Sequence, residues 1–155
     1  QPLTRFSRTR QPATTMVSRS NIADRLKYAE WVVQFSENWA AQSTGSIKRN
    51  SRVTSINELR RMVIAYCYWE IGLNQTQTGA VVNRKHPAIH HQLRVHNEAH
   101  QTAGNTNRQT DPNYCRNYKL YVSDIERESR ETSIEYVKGE IERLQNQLTE
   151  LSKQP

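Results

Sequence analysis

Apolar residues recur at helical spacing along much of this chain. Between residues 21 and 42 they fall every three or four positions, which places them on one face of an α-helix. A second apolar stripe follows the polar, basic segment 43–52 and stops before Gly72, a residue type that commonly ends helices. Ser55 and Glu58 have the spacing of a capping box, so we place the start of the second helix at Ser55. The pattern predicts two half-buried helices joined by a loop.

Two shorter helices with a tight connection are predicted next. Residues 75–82 form the first and residues 83–85 the turn. Pro87 suits the first position of the second helix, where its missing N–H costs no hydrogen bond, and His86 is then the N-cap. His91 is interpreted as a half-buried structural histidine.

The C-terminal segment is predicted to be helical again, after a polar loop that ends at Asp111-Pro112. Its first turns carry residues that can pack back on the core: Tyr114, Tyr118, Tyr121 and Ile125. Farther along, apolar positions alternate spacings of three and four over nearly three heptads, the a/d pattern of a coiled coil. These positions are Ile134, Val137, Ile141, Leu144, Leu148 and Leu151. They can pair with their own copy, with the helix of residues 21–42 or with another protein, or lie on their own domain.

Composition agrees with an all-α fold built on one small core. The chain has 155 residues, of which 35% are hydrophobic, and only five glycines. No run of about 18 apolar residues occurs, and the first residues lack the apolar centre of a signal peptide, so we expect no membrane partner and a cytoplasmic protein. The expected segments are a basic flexible arm (1–20), an N-terminal helix (21–45), a helical domain (46–113) and a C-terminal helix for oligomerisation or partner binding (114–155).

The net charge of +7 is concentrated in three blocks. Residues 1–20, 46–61 and 84–96 carry net charges of +4, +4 and +3, and the remainder of the chain is acidic. Such blocks suit a polyanion, because neutralising phosphates releases condensed counterions. The alternative is a solvated basic surface without a partner. For the arm, the choice lies between nonspecific phosphate contacts and a solubility tail.

Histidine spacing raises the question of a metal site. His86 and His90 are four residues apart, as are His96 and His100, so each pair could share a helical face. Neither pair has a third ligand close in sequence, and the chain contains no HExxH pattern. No spacing singles out a nucleophile or a carboxylate pair. We therefore predict no metal, no cofactor and no enzymatic activity.

Three motifs occur in order between residues 48 and 100: Arg61-Met-Val-Ile-Ala-Tyr-Cys67, Thr78-Gly79 and Arg84-Lys-His-Pro-Ala-Ile-His-His91. With these motifs, residues 48–100 resemble the C-terminal DNA-binding domain of the DnaA family of bacterial replication initiators. It implies a Trp-repressor/DnaA-like helix-turn-helix domain whose second short helix reads bases. Where that family has Asp-His-Thr, this chain has Lys85, His86 and Pro87, so an acceptor is replaced by a donor and a hydroxyl is lost. No GxxxxGK[ST] loop occurs, which excludes the initiator's ATPase chemistry.

The resemblance and the charge pattern together predict a non-catalytic protein that binds double-stranded DNA. The recognition helix, from about residue 86, would enter the major groove, while the basic segment 43–52, called the basic loop below, reaches phosphates or the adjacent minor groove. The expected DNA-contacting residues are Lys48, Arg49, Arg52, Arg61, Thr76, Thr78, Arg84, Lys85, His86 and Arg94. We expect a homo-oligomer through the C-terminal helix, because dimers lengthen the recognised site.

Three biological roles remain open at this point. One is a factor in replication or regulation, in a bacterial cell or a phage-infected host. The second is a viral DNA-packaging recognition subunit of the small-terminase type, which also joins a helix-turn-helix to an oligomerising helix. The third, from another class, is a structural or scaffold protein with only nonspecific contacts to nucleic acid or to an acidic partner.

Overall fold

The computed structural model describes residues 21–100 and 110–154, and within these residues it contains helices and no strand. The predicted all-α class is therefore confirmed for this part of the chain. The predicted basic arm, residues 1–20, lies outside the described residues. The helices are α1 (Ile22–Trp39), α2 (Thr54–Ala65), α3 (Gln75–Val82), α4 (His86–Ala99) and α5 (Pro112–Ser152).

Helix α1 begins where a side chain can cap it. The Asn21 side chain accepts a hydrogen bond from the Asp24 amide at 2.9 Å, which satisfies one of the free N–H groups of the first turn. The helix ends at Trp39, three residues before the predicted limit. It ends there because the chain turns back: Ala41 has a φ of 55°, and the Gln42 amide donates to the Glu37 carbonyl at 2.7 Å.

Helix α2 does not have the predicted capping box. It begins at Thr54 with Val53 as N-cap, and no side chain caps it. Ser55 therefore lies inside the first turn, where its hydroxyl cannot serve as the N-cap acceptor. The helix continues as a π-helical segment, Tyr66–Ile71, and ends as predicted at Gly72, which has a φ of 86°.

The capping box in this chain belongs to α3 instead. The Asn74 side chain accepts from the Gln77 amide at 2.8 Å, and the Gln77 side chain accepts from the Asn74 amide at 2.9 Å. Two free donors of the helix end are thus satisfied by one pair of side chains.

One core unites the four short helices with the first turns of α5. At its centre the Tyr121 hydroxyl lies 2.6 Å from the Ser36 hydroxyl of α1, and the Tyr121 ring packs edge-on against Tyr66 of the π-helical segment. Burial is the main cause that raises the pKa of both tyrosines. The N-terminal helix and the start of the C-terminal helix thus belong to the same body as the segment between them.

Helix α5 extends well beyond its buried first turns. Its 41 residues correspond to a length of roughly 60 Å. Its first turns pack back on the core as predicted, since Tyr114, Tyr118, Tyr121 and Ile125 are all buried. Beyond residue 130 almost every side chain is exposed, and the six seam residues are 50–68% exposed. The seam therefore does not lie on its own domain.

None of the helices in the two described ranges is both long and apolar enough to cross a bilayer.

Candidate nucleic-acid interface

The connection between α3 and α4 is a three-residue turn, as predicted, and it depends on a glycine. Asn83 takes a left-handed conformation with φ 58°, and the Arg84 amide donates to the Gly79 carbonyl at 2.9 Å. A Cβ at Gly79 would lie 2.5 Å from the Arg84 carbonyl oxygen and 3.5 Å from Cγ1 of Ile89. Only glycine lets the two helices approach this closely.

Helix α4 begins one residue earlier than predicted, at His86, with Lys85 as its N-cap. No side chain caps this end and no acidic residue lies in the first turn. Lys85, His86 and Pro87 are exposed. A helix N-terminus carries partial positive charge on its free N–H groups, so this tip adds to the charge of Lys85 and favours an anionic partner.

The outer face of α4 carries polar side chains at helical spacing. His86, His90 and Arg94 follow one another four residues apart, and all three are exposed. His91 is also exposed, and its Nδ1 lies 3.1 Å from Nη2 of Arg94. The interpretation of His91 as a half-buried structural residue is therefore wrong. The sequence did contain a signal for this. In a helix, residue 91 lies on the side opposite to Ile89, and Ile89 is buried.

Two arginines fasten the basic loop to the body. Arg60 is only 3% exposed, and it donates from Nε to the Ile47 carbonyl at 2.8 Å and from Nη2 to the Arg49 carbonyl at 3.0 Å. Burial, and after it the positive charge of Arg84, lowers the pKa of Arg60. Arg84 also donates from Nη2 to the Arg49 carbonyl, at 2.5 Å, and from Nη1 to the Lys48 carbonyl, at 3.2 Å. The loop and the α3–α4 turn consequently form one surface, although they are 35 or more residues apart in sequence.

Arg84 thus has a different environment from the one expected of a DNA-contacting side chain. Besides the two loop carbonyls, its Nη1 donates to the carbonyls of Val82 and Asn83 at 3.3 and 2.8 Å. Its side chain is half-buried and points at the loop. In the structure Arg84 holds the loop in position. The sequence pattern did not indicate this contact between Arg84 and the loop.

The side chains of the loop itself differ in how far they are engaged. Lys48 forms an ion pair with Glu30 of α1, with 3.0 Å between Nζ and Oε1. Arg49 is exposed and donates from Nη2 to the Thr44 carbonyl at 2.9 Å, while Arg52 is exposed at the far end of the loop. Arg49 and Arg52 are therefore the loop cations most open to a partner.

Arg61 lies between α2, α4 and α5 and not at the tip of α4. Its Nε donates to Oε1 of Gln92 at 2.7 Å, and its guanidinium carbon lies 5.6 Å from the centre of the Tyr114 ring. Gln92 in turn donates to Asn57 Oδ1 at 3.0 Å. The Arg61 side chain is half-buried and links three helices in this position.

The two threonines expected at phosphates have opposite environments. Thr76 is exposed in the first turn of α3. Thr78 is completely buried, so the expectation that its hydroxyl contacts phosphate is wrong. The neighbouring Gly79 is also buried, where α3 closely approaches the α3–α4 turn and Ile89 of α4.

Buried rings hold the C-terminal half of α4 against α5. Nδ1 of His96 lies 2.6 Å from the Tyr114 hydroxyl, and the His96 ring packs edge-on against the Tyr118 ring. His100 lies next to this cluster, with its Nδ1 2.8 Å from the His96 carbonyl oxygen. Burial is also the largest cause of the raised pKa of Tyr114. The outer face of α4 is thus presented from a rigid support.

Among residues 21–100 and 110–154, no three His, Cys, Asp or Glu side chains are grouped closely enough to hold a metal ion. Comparisons of the chain with protein-family models, with curated proteins and with solved structures gave no match.

Proposed function

We propose that this protein binds double-stranded DNA, without catalysis, through a helix-turn-helix formed by α3 and α4. The observation that carries the proposal is the joining of the basic loop to the tip of α4 by Arg60 and Arg84. It brings the exposed Arg49 and Lys85 close together beside an uncapped helix N-terminus. Such a surface suits closely spaced phosphates.

In the proposed complex the N-terminal half of α4 enters the major groove. His86 and His90 face the base edges, where an imidazole can donate to or accept from a purine. Lys85 donates to guanine or to a phosphate, and Arg94 and Thr76 hold the flanking phosphates. The protein backbone of α4 needs no rearrangement for this, because its inner side is anchored by Leu93 and the His96 cluster.

The basic loop supplies the second set of contacts. Arg49 and Arg52 extend from it towards the adjacent minor groove or its phosphates. Arg60, Arg61 and Arg84 contribute by holding the loop and α4 in place. Binding would therefore combine a rigid helix with a loop that is already ordered, which lowers the entropic cost of association.

We also propose that the protein acts as a homo-oligomer through the exposed end of α5. Each helix would bury six apolar side chains whose surface is half or more exposed in the monomer. Taking about 1 kcal/mol for each half-buried side chain, a pair of helices gains on the order of 10 kcal/mol. Association costs roughly 4–15 kcal/mol. Because the gain and the cost are of similar size, we expect the oligomeric state to depend on protein concentration.

Fluorescence anisotropy with a pool of random duplexes, measured at several salt concentrations, tests the DNA proposal. The variant Lys85→Gln, Arg94→Gln removes two charges at the proposed interface and should lower the salt slope by about 0.9 for each phosphate that is no longer neutralised. Arg143→Gln, Lys153→Gln removes two exposed charges in the distal part of α5 and is the matched control, with no change expected.

The outcomes separate the candidate functions. If wild type shows a steep salt slope that the interface variant reduces and the control does not, the proposal stands, and selection from the pool then identifies the sequence. A loss of affinity that is equal in both variants would indicate nonspecific attraction, as in the scaffold interpretation. Absence of binding at low salt would refute the proposal. A packaging recognition subunit would be favoured by a closed ring of more than two copies.

A further inference from the structure

We propose that α5 pairs with the same helix of a second copy as a parallel, two-stranded coiled coil that begins at about Ile134, and that the bound DNA is an inverted repeat. The proposed pairing depends only on the residues of α5. The proposed inverted repeat also depends on the proposed DNA-binding function.

The choice of two parallel strands follows from which residues occupy the seam. Counting the heptad from Ile134, the a positions are Ile134, Ile141 and Leu148, and the d positions are Val137, Leu144 and Leu151. Isoleucine at a with leucine at d packs best in parallel dimers, because the β-branched side chain fits the geometry of the a layer and leucine that of the d layer. Two of the three a positions are isoleucine, and two of the three d positions are leucine.

The flanking positions are compatible with the same arrangement. In a parallel pair in register, each g residue meets the e residue of the next heptad on the other helix. The pairs are Ser133 with Lys138, Glu140 with Gln145 and Gln147 with Ser152. None combines like charges, so nothing in the flanks opposes close approach. Gly139 falls at an f position and faces open space, since a Cβ at this residue would have no neighbouring atom within 4 Å.

The upstream limit of the coiled coil is set by charge. One heptad before Ile134, the a and d positions are Arg127 and Arg130, and both lie on the helix surface before the seam. In a parallel dimer each arginine would face the same arginine of the other helix across the dimer axis. Burying two like charges next to each other is unfavourable. Arg127 instead pairs with Asp124 of its own helix, 3.0 Å away. The two helices therefore separate on the N-terminal side of Ile134. The two DNA-binding bodies then lie next to each other without packing together.

The uninterrupted helix transmits the symmetry of the coiled coil to the DNA-binding bodies. Helix α5 runs without a break from the buried Tyr121 and Ile125 to the seam, so the orientation of each body is fixed by a helix and not by a flexible linker. The dimer axis then relates the two α4 helices by a two-fold rotation. Two reading helices so related require two half-sites in inverted orientation.

Cysteine cross-linking in the full chain tests the strand orientation. In a Cys115→Ser background, Leu151→Cys places one thiol at a d position close to the C-terminal end. The remaining native thiol does not interfere, because burial raises the pKa of Cys67 to about 12. We expect oxidation to give a disulfide-linked dimer from Leu151→Cys, and none from Asn146→Cys, which lies at an outward f position.

Two results would overturn the pairing. Cross-links that form only when Ile134→Cys and Leu151→Cys chains are mixed would show antiparallel helices. Sedimentation equilibrium showing a monomer at all concentrations, or a trimer or tetramer, would exclude a two-stranded coil. The variant Ile141→Lys should raise the dimer dissociation constant by about 100-fold while the thermal unfolding of the body is retained, since Ile141 contacts solvent in the monomer.

Duplexes with two copies of the selected site test the DNA symmetry. Over a series of spacings, wild type should bind one inverted repeat at least about tenfold more tightly than any direct repeat, and Ile141→Lys should bind both alike. Equal binding of both repeats by wild type would overturn this inference. Failure to bind any duplex while the Leu151→Cys cross-link still forms would instead refute the proposed function and leave the coiled coil standing.

Discussion

Replacing Arg84 with alanine should weaken the fold, whereas replacing the neighbouring Lys85 should not. The Arg84 guanidinium donates to two loop carbonyls, those of Lys48 and Arg49. The Asn83 side-chain amide also donates to the first, at 3.4 Å, and Arg60 also donates to the second. Hydrogen bonds from charged groups contribute about 1.5–3 kcal/mol each. Because this side chain is only half-buried, water replaces part of that interaction. We expect Arg84→Ala to lower the free energy of unfolding by about 1–3 kcal/mol.

Thermal and urea unfolding, followed by circular dichroism, measure this effect. A loss of that size lowers the melting temperature by about 3–5 °C for each kcal/mol in a domain of this length. Lys85→Ala is the matched control, since its side chain is exposed and its removal should change stability by less than about 0.5 kcal/mol. Arg84→Lys keeps the charge but cannot donate to two carbonyls in a fixed fork, so it should restore little of the lost stability.

The same variants distinguish a positioning role from direct DNA contact. If Arg84 positions the loop, Arg84→Ala loses both stability and DNA affinity, while Lys85→Ala loses affinity alone. The reasoning is refuted if Arg84→Ala melts within about 1 °C of wild type and yet loses DNA binding. That result would mean that the guanidinium leaves the loop and contacts the DNA.

Other predictions concern the turn and the buried thiol. Gly79→Ala should destabilise the protein by about 1–3 kcal/mol in urea titrations, because the new Cβ would meet the Arg84 carbonyl oxygen. Gly139→Ala is the control and should stabilise α5 by up to about 1 kcal/mol. Equal effects of the two substitutions would contradict the close approach of α3 to the α3–α4 turn. Burial raises the pKa of the Cys67 thiol from 9.0 to about 12, so the unfolded chain releases this proton first as the pH rises. Its contribution to the free energy of unfolding should be constant below pH 9 and fall by up to about 1.4 kcal/mol per pH unit towards pH 12, a slope that Cys67→Ala removes. A thiol reagent should modify the partly exposed Cys115 in the native protein and Cys67 only on unfolding; rapid double labelling of folded protein would contradict this.

Much of the helical framework could be predicted because its signals are local. The bounds of α3 and the length of the following turn are as predicted, and so are the end of the second helix at Gly72 and the buried aromatic face at the start of α5. Each depends on residues within a few positions of one another: a glycine, a proline or apolar side chains in helical phase. The capping box at Ser55 is one exception, beside the early end of α1 and the early start of α4. Its spacing is correct, but the helix begins one residue earlier and leaves it inside the first turn.

The candidate site was predictable as a set of segments but not as a set of roles. The basic loop and the tip of α4 were both identified from their charge. The sequence could not show that Arg84 is held by the loop or that Thr78 is buried, whereas the exposure of His91 follows from the helical phase of Ile89. These roles depend on which surface of each helix the core covers.

The order and phase of the helices and the apolar seam at the end of α5 could be derived from the sequence alone, because periodicity is a property of neighbouring residues. The contact of residues 48 and 49 with the turn at residues 83–85 exists only in the folded protein. A long arginine side chain can reach many acceptors, and the carbonyl that it meets is chosen by the packing of α2 and α3 around the loop. Contacts between segments 35 or more residues apart follow from the whole core and from no local pattern.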